Sequence, residues 1–303
     1  MEKPQILHML TPAPQASPFD VNMAYDAGYD AVVPYTGVTL PDVTTLTQDA
    51  IFSRGPKGVR RTGLFVGGRD LSTALQMFDA AKKAMVPPFE VSVFVDPSGG
   101  FTTAAAAVAC VEKCLEANFS TTLAGKRVLI LGASGPVGTA ATVLTAQQHA
   151  KVQAASHSAL ERAQQVSRLA RERYQLEVEP VLADAASLET LVSNAEVIIA
   201  AAKAGAEVMS AALVSKASRL LVAADINAVP PLGIAGVGIH DNCVPLTGTS
   251  GGKAKGIGAL AIGNVKYQVE RGLFETMLSA EKAMYLDFVS AFDKAREVTR
   301  AAK

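Results

Sequence analysis

Short apolar runs alternate along the chain with longer stretches whose apolar positions recur at helical spacing. Ile6–Leu10 reads as a buried strand. Ser17-Pro18-Phe19-Asp20 then opens a helix that Gly28 closes, with proline at an early helical position and glycine just past the end. Ala31–Pro34, Gly63–Gly67 and Val91–Val95 read as three more strands. Helices are expected over Leu71–Ala84 and, after the turn Asp96–Gly100, over Thr103–Ala117. Apolar runs separated by helices predict parallel strands joined by crossovers.

A second alternation begins after a boundary near Asn118–Gly125. Its expected strands are Lys126–Leu131, Val152–Ser156, Val178–Leu182, Val197–Ala201 and Leu220–Ala224. Its expected helices are Val137–His149, Leu160–Tyr174, Leu188–Asn194 and Glu207–Ser215. The Gly- and Pro-rich stretch Ile226–Lys255 reads as loop with one short strand. Ile257–Leu278 and Glu281–Arg300 read as helices able to pack back on the first half.

Composition narrows the function classes. The 303 residues carry 28 Lys plus Arg against 28 Asp plus Glu, a net charge of zero without a basic run, which gives no footprint for nucleic acid. With 49% apolar and 18% charged residues, the chain is too hydrophobic to be disordered. The runs Ala104–Val111 and Val197–Ala202 fall far short of the roughly 20 residues of a membrane span. The start lacks the long apolar region of a signal peptide, so a soluble cytoplasmic protein is expected. Three cysteines argue against a disulfide framework and for a reducing compartment. Cys110 and Cys114 share a helix face without further ligands and read as small buried side chains, not a metal site.

The strongest local signal is Gly132-Ala133-Ser134-Gly135-Pro136-Val137-Gly138, between a strand and a helix. That is the context of a dinucleotide-binding turn. Gly132 permits a tight turn, Gly135 lets a pyrophosphate approach the backbone, and Gly138 lets helix and strand lie close. The spacing is G-x-x-G-x-x-G rather than G-x-G-x-x-G, and an ordinary strand-to-helix turn is the alternative. The next strand ends Ser156-His157-Ser158 without the acid that would bind a ribose 2′-hydroxyl, and Arg162 follows one turn into the helix. This set favours NADP and leaves NAD open, although Ser156 and Arg162 can equally be solvated side chains.

The other strand ends address the same crevice. Ala202, Lys203 and Ala204 follow one strand, and Asp225 and Asn227 another. Both stretches can line the nicotinamide riboside, or Asp225 and Asn227 can simply cap turns. Lys253 and Lys255 sit in a glycine-rich loop that either closes on a ligand or is solvated. Walker A and H-E-x-x-H patterns are absent from the sequence, so a kinase reading has no residues to rest on. The expected architecture is α/β: a Rossmann-like parallel-sheet NAD(P) domain over 119–256, and a second α/β substrate domain from 1–118 plus 257–303, with a cleft between them.

Ile6-Leu-His-Met-Leu-Thr-Pro12, Ser17-Pro-Phe-Asp-Val-Asn-Met-Ala24, Pro34-Tyr-Thr-Gly-Val38, Leu46-Thr-Gln-Asp49, Ile51-Phe-Ser-Arg54 and Arg61-Thr-Gly63 resemble the N-terminal domain of bacterial methylene-tetrahydromethanopterin dehydrogenases. Val86-Pro-Pro-Phe89, Phe101-Thr-Thr103, Asn227–Pro231 and Gly258–Lys266 extend the resemblance over the full chain. It implies oxidation of methylene- to methenyl-tetrahydromethanopterin in one-carbon (formaldehyde) metabolism. One branch of the family is NADP-specific and one accepts both nucleotides, and the N-terminal strings are closer to the second. The resemblance also implies a homo-oligomer, for which a trimer is one candidate.

That chemistry accounts for the scarcity of catalytic motifs. The donor carbon lies between two nitrogens, so loss of hydride leaves a cation spread over N–C–N and no proton has to leave. Positioning and an electrostatic environment suited to positive charge then suffice. Asp20 is the candidate carboxylate, with a helix N-terminal acid as its alternative role. Lys253 or Lys255 would serve a pterin carbonyl, an acidic tail or the cofactor phosphate. Tyr35, Thr102 and Thr103 are candidate pterin contacts, with Tyr35 equally suited to the core. The runners-up are a methylenetetrahydrofolate dehydrogenase, which has the same N–C–N chemistry, and a non-catalytic NAD(P) redox sensor.

Overall fold

Apolar strands sort the chain into two parallel sheets. The computed structural model describes residues 3–301. In chain order the elements are β1 (Ile6–Leu10), α1 (Pro18–Ala27), β2 (Ala31–Tyr35), α2 (Leu40–Phe52), α3 (Pro56–Val59), β3 (Thr62–Val66), α4 (Leu71–Lys83), β4 (Ser92–Val95) and α5 (Gly100–Phe119). There follow β5 (Arg127–Leu131), α6 (Pro136–Gln147), β6 (Lys151–Ser156), α7 (Leu160–Tyr174), β7 (Glu179–Leu182), α8 (Leu188–Asn194), β8 (Val197–Ala200), α9 (Ala211–Val214) and β9 (Val222–Asp225). The chain ends with β10 (Asn242–Pro245), β11 (Lys255–Ile257), α10 (Ala259–Ser279), β12 (Tyr285–Leu286) and α11 (Phe288–Ala301).

Two compact units result. The first runs up to Thr102 and resumes over Tyr267–Lys294, and the second is Thr103–Lys266 with the chain's end from Ala295 onward. The expected boundaries at 118/119 and 256/257 thus differ from the observed ones, which fall inside α5, α10 and α11. Side chains explain why the later part of α5 belongs to the second unit. Arg296 of α11 donates to both carboxylate oxygens of Glu112, at 2.8 and 2.6 Å, and to Gln148 at 2.7 Å. Lys113 donates to the Thr299 carbonyl at 2.7 Å.

The first unit holds a five-stranded sheet in the order β12-β4-β3-β1-β2, every pair parallel. Its core is aromatic. Phe65, Phe94 and Phe274 lie 5.3–5.6 Å apart, ring to ring, and Tyr29 meets Phe274 edge-on at 6.1 Å. Phe274 is therefore the ring through which α10 is anchored to this sheet. The second unit holds a seven-stranded sheet in the order β10-β11-β9-β8-β5-β6-β7, parallel except for β10. Among the described residues, no helix is long and apolar enough to cross a membrane.

Four expectations are corrected. A helix over Leu40–Phe52 escaped the hydrophobic pattern because its buried stripe, Val43, Thr47, Ala50 and Ile51, runs through a threonine. Its start is nevertheless written locally, since Thr39 and Asp42 form a reciprocal capping box and proline occupies the first turn. The helix expected over Glu207–Ser215 shrinks to Ala211–Val214, because the Val208 and Met209 N–H groups donate to the Gly233 carbonyl instead. The helix expected from Glu281 begins only at Phe288, because Tyr285 and Leu286 pair with β4 as an added edge strand. Finally, the cysteines are not all thiols: Cys114 is bonded to Cys243, and only Cys110 is free and buried among the described residues.

Phe274→Ala removes the ring that α10 contributes to the core. It should lower the unfolding free energy by about 3–5 kcal/mol. Chemical denaturation measures this, and an unshifted midpoint would show that the anchoring lies elsewhere.

Candidate functional site

The register of the second sheet defines its two ends. Leu131 aligns with Ala200 and Ala200 with Asp225 at the carboxyl end. Val197, Val222 and Lys255 align at the amino end. In open parallel sheets of this kind, ligands bind beyond the carboxyl ends where strand order reverses. Here the order reverses around β5, whose neighbours are β6 and β8.

The glycine turn occupies that point. Gly132 has φ +79°, and a Cβ there would lie 2.7 Å from the Ala201 carbonyl oxygen. A Cβ on Gly138 would lie 2.3 Å from the Gly132 oxygen. Neither position tolerates a side chain. Gly135 differs: it is the N-cap of α6, and a Cβ would meet nothing nearer than the Gly132 oxygen at 3.8 Å. Open space thus faces the residue that precedes the helix. Ala133 is buried, with its N–H donating to Ala155, while Ser134 is exposed. Pro136 starts α6 without an N–H to satisfy. The Val137 and Gly138 N–H groups lie in its first turn, where backbone donors have no intrahelical acceptor and the helix dipole favours an anion. The turn is a cradle suited to a dinucleotide pyrophosphate.

At the end of β6, Ser156 is buried and its Oγ accepts the Ala159 N–H at 3.4 Å, so it caps the turn. His157, Ser158 and Arg162 are exposed, the last in the first turn of α7. These three, without Ser156, form the surface that a 2′-phosphate can reach. Ala202 is half-buried, and Lys203 and Ala204 are exposed beyond β8.

Asp225 and Asn227 hold the loops themselves. Asp225 is 1% exposed, and its two carboxylate oxygens accept the Asn227 and Ile234 N–H groups, each at 3.0 Å. Burial pushes its pKa up, against the pull of these hydrogen bonds. Asn227 Oδ1 accepts from Gly205 at 3.2 Å and Val229 at 2.9 Å, and its Nδ2 donates to Pro231 at 2.9 Å. The turn-capping role is the one the geometry displays.

Lys253 and Lys255 are not brought to this end. Lys255 aligns with Val222 at the start of β9, and Gly251 packs so closely on the Ser218 carbonyl that a Cβ would lie 2.4 Å from its oxygen. The lysine loop therefore sits at the amino ends of the strands, opposite the glycine turn. Of the two readings of this loop, closing on a ligand or lying in solvent, the strand register supports no contact with a ligand held at the glycine turn.

In the first unit, Asp20 lies in the first turn of α1, beyond the carboxyl end of β1, and is 4% exposed. Its N–H donates to the Ser17 Oγ at 3.4 Å. Thr102 is fully buried, and its Oγ1 donates to Asp96 at 2.6 Å while Asp96 also accepts the Phe101 N–H at 2.7 Å. This network caps α5, so Thr102 is withdrawn as a pterin contact. Thr103 is half-buried and belongs to the second unit. Tyr35 is half-buried at the end of β2, its hydroxyl 3.2 Å from His8 Nδ1. Burial, reinforced by the nearby Arg54 charge, pushes the His8 pKa down.

Comparison with known proteins places this geometry. The family model described as methylene-tetrahydromethanopterin dehydrogenase, N-terminal, matches residues 18–98. The NAD(P)-dependent methylenetetrahydromethanopterin dehydrogenase of Methylorubrum extorquens is 47% identical over 296 residues, covering 97% of this chain and 98% of that one. The chain belongs to the methylene-tetrahydromethanopterin dehydrogenase family. A second relative in Methylorubrum extorquens, the bifunctional protein MdtA, is 32% identical over 270 residues, or 89% of this chain and 90% of its own. The fold is similar to the NAD-dependent malic enzyme of Thermotoga maritima, with a TM-score of 0.58 at 12% identity, over 96% of this chain and 84% of that one.

Two residues of this dehydrogenase family member were not singled out from the sequence, His8 and Asp42. Adjacent parallel strands carry His8 and Tyr35, and Thr39-x-x-Asp42 is a capping-box spacing, so both signals were present.

The glycines make a paired prediction. Gly135→Ala should melt at the wild-type temperature yet weaken NAD(P) binding about tenfold or more, roughly 1.4 kcal/mol. Gly138→Ala should lower the melting temperature, because its Cβ strikes backbone. Circular dichroism melts and nucleotide titration separate the two, and unaltered nucleotide affinity in Gly135→Ala would dismiss the cradle.

Proposed function

We propose that this protein oxidises methylene-tetrahydromethanopterin to methenyl-tetrahydromethanopterin with NAD(P)+. The observation that carries this reading is the Gly132–Gly138 cradle on a chain 47% identical, over nearly its whole length, to an NAD(P)-dependent methylenetetrahydromethanopterin dehydrogenase. When bound, NAD(P)+ supplies the hydride acceptor. The first-turn N–H groups of α6 hold its pyrophosphate, and Ala202, Lys203 and Ala204 border its riboside. Ser158, His157 and Arg162 receive a 2′-phosphate, so NADP is preferred and NAD accepted. We assign the nucleotide to the second unit and the pterin to the first.

On the substrate side, the departing hydride leaves positive charge shared by two nitrogens. Asp20 stabilises that charge as it develops, without taking a proton. A buried carboxylate suits this task, because an ion is felt more strongly where water is excluded. Tyr35 orients the pterin. We further propose that the enzyme works in the cytoplasm and as a homo-oligomer, with a trimer as the candidate. A monomer in size-exclusion chromatography with light scattering would dismiss the oligomer.

NAD(P)H formation from methylene-tetrahydromethanopterin, followed at 340 nm, tests the reaction; absence of turnover with either nucleotide would overturn it. A higher kcat/KM for the folate carrier would reassign the substrate. Asp20→Ala should lower kcat by about 10²-fold, the scale of losing one electrostatic stabiliser, and should leave nucleotide affinity nearly unchanged. Arg162→Ala should raise KM for NADP about tenfold with little change for NAD, as expected when one charge-assisted contact to phosphate is lost. Equal effects on both nucleotides would remove Arg162 from the 2′ site.

A further inference from the structure

At the carboxyl end of β2, Tyr35, Thr36, Val38, Asp42, Thr45 and Leu46 line a pocket of about 400 Å³ that is open to the surface. That is the size of a small-molecule site. Val38 and Leu46 supply apolar wall, and the others supply hydroxyls and a carboxylate. Asp42 is held in place by its own helix cap: the Thr39 N–H and Oγ1 both donate to Oδ2, at 2.8 and 2.6 Å. These bonds hold its pKa below the usual carboxylate range, so it is charged at neutral pH. Both end on Oδ2, and Oδ1 is the atom it offers a ligand.

Tyr35 is held from the other side. Its ring is tilted 45° to the His8 ring, 5.7 Å between centroids, with Oη 3.2 Å from Nδ1. Burial and the Arg54 charge favour the neutral imidazole. In the tautomer that carries its proton on Nε2, His8 Nδ1 accepts a hydrogen bond from the Tyr35 hydroxyl, which leaves the phenol oxygen as an acceptor for a ligand. The cavity then presents a carboxylate oxygen and a phenol oxygen, a set that matches a heterocycle rich in N–H donors. The 2-amino-4-oxopyrimidine ring of a pterin carries an NH₂ and a ring N–H side by side, two donors for these two acceptor oxygens.

We propose that this cavity seats the 2-amino-4-oxopyrimidine edge of the pterin, with Asp42 as its acceptor and His8 as the positioning residue that fixes Tyr35. This rests on the reading of the chain as a methylene-pterin dehydrogenase. Loss of one contact made equally in ground and transition states raises KM and spares kcat.

Steady-state kinetics of the full-length protein at saturating NADP test the assignment. Asp42→Asn keeps the helix cap and should raise KM for methylene-tetrahydromethanopterin roughly tenfold, with kcat within about twofold and KM for NADP unchanged. His8→Ala should do the same, His8→Gln should restore KM because its amide oxygen can accept the Tyr35 hydroxyl's hydrogen bond, and His8→Ala should add nothing in a Tyr35→Phe background. An active wild type whose pterin KM is indifferent to Asp42→Asn and His8→Ala would overturn the cavity assignment and leave the proposed reaction standing. Equal rises in both KM values would also overturn it, as general damage to the fold. A wild type that turns over no methylene pterin removes both.

Discussion

The second unit depends on a backbone-to-backbone contact. Where β5 turns into α6, the Gly132 oxygen comes so close to Gly138 that a single added carbon would sit 2.3 Å from it. The same turn presses Gly132 against the Ala201 carbonyl beyond β8. These contacts fix the height at which α6 begins and therefore where its unspent N–H groups point. Gly135, in open space between the two crowded glycines, is what remains for a ligand. The three glycines thus do different physical work: two make the turn possible and one keeps it accessible.

Around that turn, buried polar groups shape loops instead of performing chemistry. Asp225 and Asn227 tie the loop after β9 to the loop after β8 by way of the Gly205 N–H. An unpaired carboxylate at 1% exposure would be strongly disfavoured, and the two backbone donors that meet Asp225 offset part of that penalty. Asp96 does the same for the start of α5, using Thr102 and the Phe101 N–H. In both units the strand ends are stiffened by a carboxylate that never reaches the surface.

Sequence patterning was sufficient wherever the local signal and the tertiary environment agree. Ser17, Pro18 and Gly28 bound α1 as capping rules require, and the apolar runs from Ile6 to Asp225 supply the parallel strands. It failed where pairing partners lie far away. Tyr285 and Leu286 become a strand only because β4 offers a free edge, and Met209 leaves its helical pattern for Ile234. Of the site, the glycine turn was legible because sterics alone demand it. The fate of Lys253 and Lys255 was not, since only the β9–β11 register tells which end of the sheet a loop occupies. Ser156 and Thr102 show a related ambiguity: a hydroxyl next to a strand end caps a turn as readily as it binds a ligand, and spacing does not distinguish the two.

The displacement of the lysine loop sharpens the electrostatic argument. A reaction that creates a cation gains nothing from an ammonium group near the reacting carbon, since like charge placed there raises the barrier. With Lys253 and Lys255 at the amino ends, the cations remaining at the carboxyl ends of the second sheet include Lys203 and Arg162, on loops suited to phosphate and riboside. The first unit, in contrast, brings carboxylates to its strand ends: Asp20 buried after β1, and Asp42 held ionised after β2. The named carboxylates at the strand ends of the first unit are thus Asp20 and Asp42, and the exposed cations on the loops of the second include Lys203 and Arg162. Under the proposed reaction, that placement suits hydride transfer from an N–C–N centre to a phosphorylated acceptor, because positive charge develops on the donor and negative charge is carried by the acceptor's phosphates.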